Sequence, residues 1–249
     1  MPLRLAAAAL AAFALLVGAG AARAAEVQVG PVLVTLTPST RSALVTVHNQ
    51  GKEPVRFELQ AKGWSQGEGG EMELSPTDEI AVYPPVLTVA PGEERNLRVG
   101  AVAPFGATER AYRIVLQELA PPETPESGAQ VRMLTRMLIP VFLAPARPVE
   151  KAALAGLTAV GGRVTVRLVN EGTVHVRPDS VKLSGLGEGG KVLFETELPA
   201  WYVLAGGVRA YEAKIPAASC GAVREVEVAA VLSRETLRAR QPRTGDCSP

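Results

Sequence analysis

The sequence predicts an all-β chain organised as two β-sandwich domains, and three observations carry that prediction. Apolar and polar residues alternate with a period of two in many short runs. Turn signals rich in Gly, Pro and Asn separate those runs. After residue 24, no segment sustains a helical apolar period with caps at its ends. Many short strands spaced by turns build a sandwich or a barrel.

The chain opens on a segment that reads as an export signal. Arg4 supplies a short positive region, residues 5–17 form an uninterrupted apolar run, and Ala22-Arg23-Ala24 offers small residues where a signal peptidase reads them. Cleavage is expected near Ala24, so residues 1–24 are the signal peptide. The apolar run falls short of the roughly 20 residues of a spanning helix, and charges or prolines interrupt every later candidate, so no membrane insertion is expected. The signal contains Arg4 and Arg23 and none of the 25 acidic side chains, which leaves a mature chain close to neutral. Interspersed charge without a basic face argues against a nucleic-acid partner.

The strands follow. Val55, Phe57, Leu59 and Ala61 interleave with Arg56, Glu58, Gln60 and Lys62, one face buried and one wet. Leu97, Val99 and Ala101 repeat the pattern, as do Tyr112, Ile114 and Leu116. In the second half Val164, Val166 and Leu168 alternate with Thr165 and Arg167, and Val226 and Val228 with Glu225 and Glu227. Asn49-Gln50-Gly51 and Asn170-Glu171-Gly172 each follow a Val-rich run, one early in each half, which suggests two copies of a similar sandwich. The boundary is expected in residues 144–148 (APARP), where two prolines cannot join a central ladder. The domains are therefore 25–146 and 147–249.

Residues 131–143 (VRMLTRMLIPVFL) stand apart. A strand there would far exceed the usual 5–6 residues, and both its faces are apolar. Val131, Met133, Met137, Ile139 and Val141 lie on one face, and Leu134, Leu138 and Phe142 on the other. Two apolar faces mean burial on both, or a partner on one. The preceding Pro- and Glu-rich residues 121–128 (PPETPESG) read as a loop.

Other motifs are expected to be structural. Residues 185–192 (GLGEGGKV) mimic a phosphate loop, but Val192 lacks the hydroxyl that a P-loop needs and the segment continues as strand, so a hairpin turn is expected. His48 and His175 read as strand-end surface residues, and neither forms a metal-ligand pattern. Trp64 and Trp201 read as packing rather than ligand platforms. With no nucleophile elbow and aspartates only in turn contexts, no catalytic residue, metal or cofactor is expected and the chain is read as not an enzyme. The two cysteines, Cys220 and Cys247, are expected to form a disulfide in an oxidising compartment.

Several stretches resemble the periplasmic pilus (fimbrial) chaperone family of the chaperone–usher pathway. They are Val29-Gly30-Pro31-Val32 with Leu36-Thr37-Pro38, residues 41–49 (RSALVTVHN), residues 109–114 (ERAYRI), Ile139-Pro140-Val141-Phe142, residues 170–176 (NEGTVHV) and residues 201–206 (WYVLAG). The last two are similar to the archaic or alternative branch. The resemblance implies two immunoglobulin-like domains in a boomerang arrangement, located in the periplasm. It implies donor-strand complementation, in which the chaperone lends a strand to a pilus subunit and delivers the subunit to an outer-membrane usher. A self-capping homodimer is the further partner when no subunit is bound. Residues 131–143 would be the lent strand, with Val131, Met133, Thr135 and Met137 in the subunit groove and Leu134, Leu138 and Phe142 on the chaperone's own core.

Classical members hold the subunit's terminal carboxylate with an arginine on the first strand and a lysine on the last. Leu33 and Pro140 occupy those positions here, so Arg113, Arg132 and Arg136 become the candidate anchors. The competing expectation is a secreted two-domain adhesion or binding protein without strand donation, in which 131–143 would be buried among neighbours. A hydrolase on the same scaffold would need a pocket joining His48 or His175 to a nucleophile.

Overall fold

A computed structural model describes residues 26–120 and 133–247. The expected signal segment, the loop at 121–128, Val131 and Arg132 lie outside the described residues.

The first half folds as ten strands in two sheets. These are β1 (Val27–Gly30), β2 (Val34–Leu36), β3 (Ser42–Asn49), β4 (Val55–Gln66), β5 (Met72–Pro76), β6 (Ile80–Tyr83), β7 (Val86–Val89), β8 (Glu94–Ala101), β9 (Arg110–Glu118) and β10 (Arg136–Leu143). One sheet runs β1-β3-β8-β6; the other runs β2-β10-β9-β4-β5, with β7 also paired to β4. The period-two pattern explains the core between them. Phe57, Leu97, Val99, Ile114 and Leu116 are each fully buried there, and the residues alternating with them face outward.

The second half adds β11 (Ala152–Val160), β12 (Arg163–Asn170), β13 (Ser180–Leu186), β14 (Val192–Leu198), β15 (Val208–Lys214), β16 (Glu225–Val231) and β17 (Thr236–Pro242). They form sheets β11-β12-β15 and β14-β13-β16-β17 around a separate core of Val164, Val166, Leu168, Val226 and Val228. The glycine-rich stretch mistakable for a phosphate loop turns β13 into β14, with Gly189 and Gly190 both at positive φ. The chain is therefore two immunoglobulin-like β-sandwiches, and the passage between them runs from Leu143 to Ala152.

Each half repeats one buried device. Asn49 donates from Nδ2 to the carbonyls of Glu53 (2.8 Å) and Val89 (3.0 Å) and accepts from the Gly51 N–H at Oδ1. Asn170 donates to Val174 (2.8 Å) and Val203 (2.9 Å) and accepts from the Gly172 N–H. A fully buried amide is tolerated because these bonds use its donors and its acceptor. The shared Asn-x-Gly corner is thus the visible mark of the duplicated fold.

A disulfide joins Cys220 and Cys247, whose Cα atoms are 6.0 Å apart. It ties the end of the chain to the helical turn Ala217–Cys220 and to the second core.

Candidate functional site

The unusual segment enters the structure as β10, which begins at Arg136 rather than at 131. Along its whole length it pairs antiparallel with β9, whereas β2 covers its other edge only at Val141, Phe142 and Leu143. From Arg136 to Ile139 that second edge has no ladder partner among the described residues.

Backbone directions along β10 follow from its two ends. The Thr135 carbonyl accepts from Glu118 N–H on the β9 side, and the Ala144 N–H donates to the Leu36 carbonyl on the β2 side. Because a strand alternates its polar groups between edges, even-numbered residues face the open edge. It therefore offers the N–H and C=O of Arg136 and Leu138, while the C=O of Pro140 on the same edge is taken by the Val34 N–H, as the parallel pairing of Val141 with Val34 requires. Pro140 is admitted because its missing donor falls on the open side, and it closes the series of donors.

Side-chain parity corrects one expectation. Ile139, Val141 and Leu143 fill the first domain's own core, and Met137 packs against it. Leu134 is exposed, and Phe142 belongs to a different cluster with Trp64 and Tyr202. The even-numbered set thus does not pack on the sandwich core. The sequence showed two apolar faces without saying which sheet face was the inner one. Met133 and Thr135 share parity with the core residues but precede β10, and Met133 is 51% exposed.

The outer face of the β10-β9-β4 sheet carries the second feature. Trp64, Ala111, Arg113 and Phe142 project there, and Leu33 joins them, under a roof of Tyr202 and Leu204 from the second domain. Two polar ties fix the roof. The Gln66 amide donates to the Tyr202 carbonyl (2.8 Å) and accepts from the Leu204 N–H (3.0 Å). Glu109 accepts from both the backbone N–H (2.9 Å) and Nδ1 (2.7 Å) of His175, whose ring stacks on Phe142 at 3.8 Å. His175 is therefore an interdomain contact and not a surface residue. That role was unreadable because Glu109 lies 66 positions away.

Arg113 sits beneath this roof, directly across the ladder from Pro140. It is 4% exposed, with its guanidinium carbon 3.8 Å from the centre of the Trp64 ring. The rings of Tyr202 and Trp201 follow at 5.8 and 5.9 Å. Among the described residues its Nε and Nη2 have no hydrogen-bond partner, and neither does the buried Nε1 of Trp64. Burial holds the guanidinium below its ordinary pKa, with Tyr202 acting in the opposite sense. Arginine starts so far above neutrality that the group remains a cation. Desolvating such a cation costs on the order of several kcal/mol, and the aromatic contact returns about 2 kcal/mol. Nε and Nη2 together form the side-on edge that grips a carboxylate bidentately. An acceptor-only anion would satisfy donors that the described residues do not.

Of the remaining candidates, Arg136 is exposed at the start of β10, roughly 13 Å along the strand from Pro140. Arg132 is outside the described residues. Trp64 was expected to be plain packing; its role as a cation platform is set by a β9 residue that sequence spacing does not connect to it.

Three solved structures show the same fold. A chain of the chaperone–tip adhesion subunit pre-assembly complex CsuC–CsuE, from archaic chaperone–usher Csu pili of Acinetobacter baumannii, aligns over 89% of this chain and 99% of its own length at 20% identity and a TM-score of 0.59. The Pseudomonas aeruginosa CupB2 chaperone aligns over 87% and 100% at 16% identity and 0.55. A chain of the Salmonella enterica SafA pilin–SafB chaperone complex aligns over 88% and 98% at 16% identity and 0.55. A search of curated proteins returned no match. Residues 26–148 match the family described as pili and flagellar-assembly chaperones, PapD N-terminal domain. Through that domain the chain belongs to the family of pilus-assembly chaperones.

Proposed function

We propose that this protein is a periplasmic chaperone that folds pilus subunits by donor-strand complementation and hands them to an outer-membrane usher, in the manner of the archaic branch. The observation that carries the reading is the β10 edge unpaired from Arg136 to Ile139 among the described residues. A strand added there gains main-chain hydrogen bonds, while Val131, Met133, Thr135 and Met137 supply alternate side chains to the subunit groove. Methionine suits a groove shared by non-identical subunits, because its thioether adapts to irregular surfaces.

Arg113 is the proposed anchor for the subunit's terminal carboxylate. It replaces the classical cations one strand away, with Leu33 in the same aromatic cluster and Pro140 opposite it in register. The open edge stops where β2 takes up the Pro140 carbonyl, and Pro140 stands opposite Arg113, so the end of an added strand would lie near Arg113. The SafA–SafB and CsuC–CsuE pairs, each a chaperone with its pilin or tip subunit, support the partner class by analogy of fold.

The test is co-expression with the pilin-like proteins encoded nearby, followed by affinity capture. Soluble one-to-one complexes are expected. Failure to capture any of them would leave the secreted binding module as the better reading.

A further inference from the structure

The chain has only two tryptophans, and both lie beside Arg113. Their situations differ. Trp64 is 5% exposed on β4, and Tyr202 is equally buried, whereas Trp201 is 41% exposed. Trp201 is held by an edge contact with Tyr202 at 5.4 Å, in a segment that belongs to no strand. The backbone beside it is pinned by Gln66 through Tyr202 and Leu204. Its side chain can therefore turn away by rotation alone, without moving the backbone or uncovering the core. Trp64 and Tyr202 have no such freedom. Of the three rings around the guanidinium, Trp201 alone borders solvent.

We propose that Trp201 is the second domain's contribution to ligand recognition, a side-chain lid that covers Arg113 in the free protein and is displaced by an entering chain-terminal carboxylate. The proposal rests on the reading of Arg113 as a carboxylate anchor. It adds that recognition is shared between domains, because the cation is on β9 and its lid is on the segment between β14 and β15. In the free protein the rings satisfy the cation in part, and a bidentate carboxylate outcompetes that weaker contact. The roof also selects for a chain end. A side-chain carboxylate in mid-strand would have to carry continuing backbone past Tyr202, which Gln66 holds in place.

The experiment uses the full chain with Trp64→Phe, so that Trp201 is the sole tryptophan, and the probes N-acetyl-alanine and N-acetyl-alaninamide. The acid is expected to red-shift Trp201 emission and increase its quenching by acrylamide, saturably. The amide is expected to do neither, and Arg113→Gln to abolish the response to the acid. Equal responses to acid and amide, or a response that survives in Arg113→Gln, would overturn the lid. If Trp64→Phe does not fold, Trp201→Ala in the native background supplies the second readout, since Trp64 then reports the acid alone at lower probe concentrations than in the parent; no gain in sensitivity overturns the proposal. Subunit capture separates the two readings. Complexes that form with Trp201 emission unchanged refute the lid and leave the chaperone standing, whereas failure to capture any subunit refutes the chaperone whatever Trp201 does.

Discussion

The guanidinium carbon of Arg113 lies 3.8 Å from the centre of the Trp64 ring, and two of the guanidinium nitrogens have no hydrogen-bond partner among the described residues. A buried cation faced by aromatic rings and short of hydrogen-bond acceptors is a poor stabiliser of its own domain, because the desolvation cost exceeds what the rings return. Replacing Arg113 with Met keeps much of the volume and removes the charge. The free protein is expected to unfold at the same or a higher temperature, while affinity for a captured subunit falls about 100-fold, or about 3 kcal/mol. Calorimetry of the free variant and titration of the complex check the two halves separately.

Met133 and Ile139 share parity but not burial, being 51% and 5% exposed. Met133→Arg is expected to leave the fold intact and abolish subunit capture, since it places a charge in an apolar groove. Ile139→Arg is expected to unfold the first domain, because the same charge enters its core. Circular dichroism with pull-down distinguishes these outcomes, and capture by Met133→Arg at the parental level would contradict the register.

The paired corners at Asn49 and Asn170 predict parallel losses. Asn49→Ala and Asn170→Ala each strand buried backbone groups, at a cost of about 2–3 kcal/mol to the domain concerned. Denaturant unfolding followed by domain-resolved hydrogen exchange should place each loss in its own half.

The Cys220–Cys247 bond closes a separation of 27 residues and sits against the second core. Substituting both with Ser is expected to cost the second domain about 3 kcal/mol. The first domain and its open edge should be unaffected, so subunit capture measured at a temperature where the variant is folded should stay at the parental level.

Tyr112 donates to Glu79 at 2.5 Å, and burial together with that bond pushes its phenol well above the usual range. The folded state therefore holds this proton more tightly than the unfolded chain does. The resulting stability is complete below the unfolded pKa of about 10 and is lost as pH rises from there towards the folded value. Tyr112→Phe should be less stable than the parent at neutral pH, with the difference shrinking above about pH 10 in pH-dependent unfolding curves.

The sequence made the scaffold legible because sandwich strands write their buried face in every second residue. Val55, Phe57 and Leu59, or Val164, Val166 and Leu168, needed no partner to be recognised. Residues 131–143 were also legible as exceptional, since two apolar faces on one run demand explanation. Which face met which layer was not legible: Phe142 and Leu143 are equally buried, one against the second domain and one inside the first. The Arg113 site was legible only as a choice among three arginines. Its aromatic surroundings come from β4, β10 and the segment before β15, a convergence made by topology and not by spacing. The interdomain role of His175 is hidden for the same reason.

The most direct test of strand lending is hydrogen exchange at the open edge of β10. Once a captured subunit is bound, the amides of Arg136 and Leu138 should become strongly protected, while those of Met137 and Ile139, already paired to β9, change little. A soluble complex in which Arg136 and Leu138 exchange as fast as in the free protein would contradict the account.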